Sequence, residues 1–342
     1  MALAFWVGVL MVSSLASLAS GITPKEVHTH EEARFLMGTL ARIQVSAPTK
    51  AEAAQCAAAG FRALDLADSV FSTWRPDSEI SHINSQAGQG PVQISAAMAE
   101  VLSSALDFFR RSDGAFDPTV LPLVELWGFR DSQPGPPPST QAVAQVLMAV
   151  GAQLVQLRTA PPTVELLHPE TKLDLGALAK GAALDQAATA MMQCGALGGM
   201  LDLGGGLLLF GQTDVQLVGV VNPLDPDHPL DVIPLSKGSV ATSGQYERFR
   251  ESDDQTWGHI LDPRTGQPCE QTLSVTVVTE TALLADALAT ACFVLGPTEG
   301  LQLLESTPEC EGLLMFESFG GEPVLLSTSH WPGNFTQITP TK

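Results

Sequence analysis

The chain has 342 residues, of which 45% are hydrophobic and 16% charged, so it can bury the core of one large domain or two small ones. Its 37 Asp and Glu outnumber its 17 Lys and Arg, which gives a formal net charge of −20. Nucleic acids and anionic membranes are bound through basic surfaces, so this charge balance argues against both as partners.

The N-terminus has the composition of an export signal. Residues 1–24 carry no charged side chain, and residues 1–12 are apolar apart from small residues. Ser17-Leu18-Ala19 then gives a small-x-small pattern, which predicts a cleaved signal peptide at 1–21 and an exported, periplasmic domain at 22–342. A signal peptide usually begins with Lys or Arg, and the extreme N-terminus here has neither. An uncleaved membrane anchor is therefore the alternative.

The five cysteines show neither metal-binding spacing nor an evident disulfide framework.

The predicted elements mix helices and strands. A strand at 35–45 is followed by helices at 50–71, 78–84, 95–111 and 141–150, with a Pro-rich surface loop at 132–140. Strands are then predicted at 155–157, 164–167, 173–175, 200–203, 215–221 and 273–279, and helices at 176–194, 282–295 and 297–304. This pattern predicts an α+β fold, with mixed sheets and helices in two subdomains around a central cofactor cleft.

The stretch LDLGALAKG, from Leu173 to Gly181, is typical of a short buried strand that passes through glycine into a helix. A helix start offers unpaired N–H groups and a positive dipole end, which suits a phosphate. Lys180 lies one turn into this helix, among small residues and shortly after Asp174, so we favour a Lys that points into a site over a solvated one. Ala182 follows the last glycine, which excludes a Walker A loop.

A second motif, ADALAT at 285–290, places Asp286 and Thr290 one turn apart on the same helical face. Asp286 could cap a helix that begins near Thr281, but it lies a full turn inside the predicted helix. A buried carboxylate needs a partner or an ion, and hard oxygen ligands suit magnesium. The two motifs together favour phosphate chemistry with a magnesium-like ion.

Seven sequence blocks carry a family resemblance. They are MGT at 37–39, STWRPDSEIS at 72–81, GAFDP at 114–118, LDLGALAKG at 173–181, TSGQYER at 242–248, HILDPRTG at 259–266 and ADALAT at 285–290. In this order they resemble the ApbE family, the FAD:protein FMN transferases, over about residues 37–296.

The resemblance implies roles for individual residues. FAD contacts fall on Met37, Trp74, Ala115, Phe116, Asp117, Asp174, Lys180 and Ile260, and magnesium ligands fall on the Ala177 carbonyl and the side chains of Asp286 and Thr290. Trp74 stands where the family usually has Tyr; its alternative role is a hydrophobic plug. Phe116 could equally be a core residue. Gly206, the third residue of a Gly-Gly-Gly turn, stands where the family commonly has Asp or Asn.

His259 is a candidate general base, because imidazole titrates near neutral pH; a structural His is the alternative, and Asp262 is the next candidate.

The implied activity is magnesium-dependent transfer of the FMN moiety of FAD to a Thr or Ser hydroxyl of acceptor flavoproteins, with release of AMP. The implied acceptors are subunits of membrane redox complexes. An FAD pyrophosphatase with the same site and a non-catalytic FAD-binding protein are the alternatives.

Overall fold

The computed structural model describes residues 27–131, 135–245, 249–252, 255–318 and 320–335. The predicted signal peptide lies outside the described residues, as do part of the Pro-rich loop (132–134) and the end of the TSGQYER block (246–248).

The helices begin where the sequence supplies caps. They are α1 (Lys50–Phe71), α2 (Glu79–Ser85), α3 (Ala96–Arg111), α4 (Leu121–Leu126), α5 (Thr140–Val146), α6 (Gly176–Gln193) and α7 (Ala282–Glu305). Thr49, Ser78, Ser95 and Ser139 accept first-turn N–H groups of α1, α2, α3 and α5. Two short 3-10 turns, Leu147–Ala149 and Ala152–Leu154, follow α5.

The strands form one large sheet and several small ones. In chain order they are β1 (His28–Leu36), β2 (Thr39–Ala47), β3 (Val92–Gln93), β4 (Val155–Thr159), β5 (Pro162–Leu166), β6 (Gly198–Leu203), β7 (Gly206–Gly211), β8 (Gln216–Val220), β9 (Asp231–Leu235), β10 (Gly238–Gly244), β11 (Phe249–Ser252), β12 (Gln255–Gly258), β13 (Leu261–Asp262), β14 (Gln267–Pro268), β15 (Thr272–Thr279), β16 (Glu311–Glu317) and β17 (Pro323–Ser327). An antiparallel eight-stranded sheet has the order β1-β2-β6-β7-β10-β15-β16-β17. The α+β prediction is confirmed, whereas the division into two subdomains stays a prediction.

The core forms where α1, α6 and α7 pack together against the large sheet. Helices α6 and α7 approach closely at Gly181, where an added Cβ would lie only 2.2 Å from the carbonyl oxygen of Ala282. Any larger residue would push the helices apart, so this glycine sets how near the two sequence motifs can come.

Helix α7 is a core helix in this fold. Within the described part of the chain it is the one helix long and apolar enough to cross a membrane by length and composition. Its residues Ala285, Leu288 and Phe293 are fully buried in the protein. The helical path breaks at Gly296 (φ 77°) before Pro297, so the prediction of separate helices at 282–295 and 297–304 is confirmed.

Two strand predictions need correction. The predicted strand at 35–45 is a hairpin, because Met37 (φ 50°) and Gly38 (φ 74°) turn the chain between β1 and β2. The described backbone at 173–175 is not a strand; Asn84 holds it instead. The Asn84 amide donates to the Leu173 carbonyl (2.9 Å) and accepts from the Leu173 N–H (2.7 Å), which replaces the hydrogen bonds of a sheet.

Candidate flavin and metal site

The segment before α6 is fixed from two sides. Besides the bonds from Asn84, the Asp174 N–H donates to the carbonyl of Pro118, at 2.8 Å. The half-buried Asp174 carboxylate accepts the Gly176 N–H at 2.7 Å, so it satisfies an N–H of the helix start. The LDLGALAKG block and the GAFDP block therefore meet at the N-terminus of α6.

Lys180 and Asp286 bring the two motifs of the sequence together. Lys180 Nζ lies 3.6 Å from Asp286 Oδ1 and 3.5 Å from the carbonyl oxygen of Gly176. The Gly181 N–H donates to Asp286 Oδ2 at 3.1 Å. Asp286 is only 8% exposed, and burial raises the pKa of its carboxyl, although the Lys180 ammonium and the Gly181 N–H both act to lower it. The structure thus brings the start of α6, Lys180 and the Asp286 carboxylate together.

Asp286 is not the cap of α7. Helix α7 begins at Ala282, and its N-cap residue Thr281 makes no side-chain capping bond in the described chain. The cap comes instead from Asp185 on α6, whose carboxylate accepts the N–H groups of Ala282 and Leu283, both at 2.9 Å. Asp185 was not among the predicted site residues. Its position four residues after Gly181, on the same face of α6, is the signal that could have found it.

The oxygen atoms near Asp286 fit a hard cation. The Thr290 hydroxyl lies one turn further along α7, 3.2 Å from the hydroxyl of Ser243 on β10. The Gly181 N–H, which a regular helix pairs with the Ala177 carbonyl, donates to the Asp286 carboxylate. Because a carbonyl oxygen has two lone pairs, the Ala177 oxygen could also coordinate an ion.

One carboxylate with neutral oxygens suits magnesium, which keeps several waters and binds phosphate oxygens alongside few protein ligands. Among the described residues there is no group of three or more His, Cys, Asp or Glu that could hold a metal. The residues present therefore fit the ion as partial ligands.

Ala115 and Phe116 lie in the core. Both are buried, and the Phe116 ring lies 5.7 Å from the ring of Phe108 between centroids. The possibility that Phe116 is a core residue is therefore confirmed for its side chain, so a cofactor could meet this block only through the backbone or through Asp117.

Asp117 is a buried acid whose carboxyl pKa is raised. Its Oδ1 accepts the N–H of Thr119 at 2.8 Å and the hydroxyl of Thr119 at 2.6 Å. Burial raises the pKa of the Asp117 carboxyl to about 6, although these donors act to lower it. Asp117 also lines a cleft of about 360 Å³ together with Gly114, Pro263 and Arg264. The GAFDP and HILDPRTG blocks thus share one cleft.

A larger cleft, of about 670 Å³, lies between α3 and the β4–β5 hairpin. Of the described residues that line it, none is a predicted site residue.

Trp74 lies at the surface and is 58% exposed, so the hydrophobic-plug alternative is wrong. The guanidinium of Arg130 stacks 4.2 Å from the centre of its ring and donates to the Thr73 carbonyl at 2.7 Å. This stacking holds the indole in place. Met37, at the β1–β2 turn, is partly buried against the main core.

The acid of the HILDPRTG block, Asp262, is held by an ion pair within the same block. Arg264 donates to both carboxylate oxygens of Asp262, each at 2.9 Å, so the second candidate base is held in a bidentate ion pair. Ile260 is buried and its carbonyl accepts the Cys269 N–H at 2.9 Å. His259 is half-buried beside it, and its role as base stays a prediction.

Gly206 lies next to Leu184 of α6. It begins β7, and an added Cβ would lie 3.3 Å from Leu184 Cδ1 on α6. Gly204 (φ 56°) and Gly205 (φ 89°) form the turn before it.

Comparison with known proteins shows which family the chain resembles. The model of the ApbE family matches residues 37–314. The chain is 35% identical over 337 residues to the FAD:protein FMN transferase of Treponema pallidum, covering 91% of each. It is 33% identical over 276 residues to the FAD:protein FMN transferase of Klebsiella pneumoniae, covering 78% of this chain and 79% of that protein.

Solved structures agree in fold. The ApbE protein of Thermotoga maritima superposes with a TM-score of 0.80 at 32% identity, over 88% of this chain and 97% of that one. The flavin transferase ApbE of Vibrio cholerae gives a TM-score of 0.78 at 26% identity, over 89% and 98%. On the family match and these relatives, the chain belongs to the ApbE family.

Proposed function

We propose that the protein transfers the FMN moiety of FAD to a Thr or Ser hydroxyl of an acceptor flavoprotein and releases AMP. The observation that carries this proposal is the meeting of Lys180 and Asp286 at the N-terminus of α6, in a chain whose relatives are named FAD:protein FMN transferases. The acceptor oxygen would bond to the FMN phosphorus, the bond from that phosphorus to the bridging oxygen would break, and the bridging oxygen would leave with AMP.

Positive charge near the site supports binding of an anionic cofactor. The protein as a whole is strongly acidic, so the pyrophosphate depends on local donors. Lys180 offers a charged hydrogen bond, and the start of α6 offers N–H groups and the positive end of its dipole. Asp174 orients this helix start through its bond to the Gly176 N–H.

Magnesium would be held by Asp286, Thr290 and the Ala177 carbonyl. When bound, it would neutralise charge on phosphoryl oxygens, which is where much of the catalysis of phosphoryl transfer arises. His259 would take the proton of the acceptor hydroxyl. Trp74, which is 58% exposed and is held by the stacked Arg130, offers an aromatic side chain suited to cover a flavin ring.

The acceptors we propose are exported domains of membrane redox subunits, and we propose the periplasm as the site of action, with residues 1–21 as the export signal. An uncleaved N-terminus would instead anchor the enzyme to the membrane. These steps rest on the sequence of residues 1–24 and on the family resemblance.

The test is a flavinylation assay. Purified protein, FAD and magnesium are mixed with a flavoprotein subunit of a membrane redox complex, and the products are separated by denaturing gel and chromatography. Fluorescent flavin covalently attached to the subunit, with stoichiometric AMP, is expected. Free FMN with AMP would identify a pyrophosphatase, and intact FAD would identify a binding protein. An acceptor with Ala at the modified Thr or Ser is the control.

The same assay tests the base. His259→Ala should bind FAD normally yet label the acceptor roughly 100-fold more slowly or worse, as general base catalysis predicts. Unchanged labelling would assign the proton to another group.

A further inference from the structure

Two cysteines that are distant in sequence lie near each other where α1 packs on the end of α6. Cys56, in the second turn of α1, is fully buried, and Cys194, the C-cap of α6, is exposed. The two thiols lie close enough to interact electrostatically, and the N–H of Leu197, just after α6, donates to the carbonyl of Ser46, just before α1, at 2.8 Å.

The packing around the pair gives independent support for this placement. Gly60 follows Cys56 by one helical turn, and an added Cβ there would lie 2.6 Å from the sulfur of Met191. Met191 precedes Cys194 by about one turn of α6. The two helices are thus in direct contact at the position next to the cysteine pair, so the pair lies within a closely packed helix interface.

We propose that Cys56 and Cys194 form a disulfide bond when the protein meets an oxidising disulfide, which ties α1 to the end of α6. The bond would link residues roughly 140 positions apart, and the closing of so long a loop restricts the unfolded chain strongly. The inference does not depend on the proposed transferase activity.

The chemistry is a pair of thiol–disulfide exchanges with an oxidant of the class R–S–S–R, either a small disulfide or an oxidised oxidoreductase. The Cys194 thiolate attacks one sulfur and displaces one RS⁻, which takes a proton to become RSH. Cys56 then loses its proton to solvent and attacks the Cys194 sulfur, and a second RSH leaves. The protein loses two hydrogens and two electrons, and R–S–S–R gains them.

Exposure decides the order of these steps. Burial raises the pKa of the Cys56 thiol to about 12, so little of it is thiolate at neutral pH. Cys194 is reachable from solvent and therefore reacts first. Cys292 and Cys310 are both buried, which denies an oxidant the entry that Cys194 offers.

The test uses reduced, purified protein and oxidised glutathione. After incubation at mildly alkaline pH the sample is denatured, alkylated and digested without reduction, and its peptides are identified by mass spectrometry. A peptide pair joined through Cys56 and Cys194, lighter than the two thiol peptides by two hydrogen atoms, is expected. Cys269 should remain alkylated as a free thiol.

Single-cysteine variants and melting curves give the control. Cys194→Ser, at an exposed site, should leave Cys56 as a free thiol, whereas Cys269→Ser should leave the linked peptide unchanged. The oxidised protein should melt roughly 5 °C or more above the reduced protein, and Cys194→Ser should not show this shift. A protein that stops at a glutathione adduct on Cys194 with Cys56 free, or one that links Cys292 to Cys310, would overturn the proposal.

Discussion

At the scale of single residues, the Lys180–Asp286 pair is the centre of the candidate site. Burial raises the pKa of Asp286, and the ammonium at 3.6 Å and the Gly181 N–H at 3.1 Å oppose this effect. A buried charge that loses its partner is strongly destabilising, because its desolvation is no longer offset. The pair must therefore be tested with variants that preserve shape as well as with truncations.

Asp286→Ala should abolish transfer, because it removes the carboxylate proposed to bind magnesium. Asp286→Asn is the matched variant: its amide oxygen can still accept the Gly181 N–H, so it should fold while binding the cation poorly. Initial rates of acceptor labelling over a magnesium titration, with melting curves of each variant, measure both effects. Full activity of Asp286→Ala at ordinary magnesium concentrations would exclude the metal assignment.

Lys180→Ala should weaken FAD binding by about 1.5–3 kcal/mol, the usual contribution of a charged hydrogen bond. Lys172→Ala is the control, since Lys172 forms an exposed ion pair with Glu125 at 2.6 Å. Titration calorimetry with FAD measures both variants. Equal FAD affinities of Lys180→Ala and the wild type would make Lys180 a surface residue with no part in binding.

Asp117 should make stability depend on pH. Its carboxyl pKa is about 6 in the folded protein against 3.8 for an ordinary Asp, so the folded state favours the protonated form. As pH rises from about 4 to about 6, the ionised carboxylate becomes increasingly costly to bury. The wild type should thus lose up to roughly 3 kcal/mol of unfolding free energy relative to Asp117→Asn over this range.

Urea unfolding of the wild type and Asp117→Asn at several pH values checks this effect. The amide oxygen can keep both bonds from Thr119, so the comparison isolates the charge. A free-energy difference that does not change between pH 4 and pH 7 would contradict the raised pKa.

At the scale of elements, the site depends on how α6 and α7 are aligned. Gly181 sets their distance, and Asp185 holds the first N–H groups of α7, so two features of α6 determine where Asp286 lies. Asp185 is itself half-buried, and burial raises its pKa although the two N–H donors lower it. We infer that the cap positions the carboxylate of the neighbouring helix.

Asp185→Ala should destabilise the protein by about 0.5–2 kcal/mol, the usual cost of a lost N-cap, and should also raise the magnesium concentration needed for half-maximal labelling. Thr281→Ala is the control, because the Thr281 side chain provides no cap in the described chain. Denaturant unfolding measures stability, and a magnesium titration at saturating FAD measures the second effect. A loss of stability without any change in magnesium dependence would reduce Asp185 to a structural cap.

At the scale of the whole molecule, elements that local sequence determines could be predicted, whereas elements that depend on long-range contacts could not. Helices α1, α2, α3 and α5 start at Ser or Thr caps next to periodic apolar residues, so the sequence alone predicts them. The segment at 173–175 was misassigned because a side chain 89 residues away supplies its hydrogen bonds. Strands β16 and β17 were missed; β16 pairs with β15, which precedes it by the whole of α7, and β17 pairs with β16 at the sheet edge.

The candidate site likewise combines residues that the sequence could predict with residues that it could not. The sequence shows that Asp286 and Thr290 share a helical face, whereas the contact of Asp286 with Lys180 was not predicted. Asp185 and Ser243 were missed as individual contributors, because each acts on an element distant in sequence.

The net charge of −20 gives a prediction about the rate of FAD association. FAD carries a pyrophosphate, so the protein as a whole repels it until the two are within reach of Lys180 and the helix start. The Debye length falls from about 30 Å at 0.01 M to about 10 Å at 0.1 M ionic strength, which screens the distant acidic residues more than contacts within the site. FAD association should therefore become several-fold faster over this range.

Stopped-flow flavin fluorescence at increasing salt measures this rate, with riboflavin, which lacks phosphate, as the uncharged control ligand. Riboflavin association should hardly change, because its approach is not opposed by charge. If FAD association instead slowed as salt rose, the local positive charge of Lys180 and the α6 N-terminus would dominate the approach path, and the acidic surface would have to face away from the cleft.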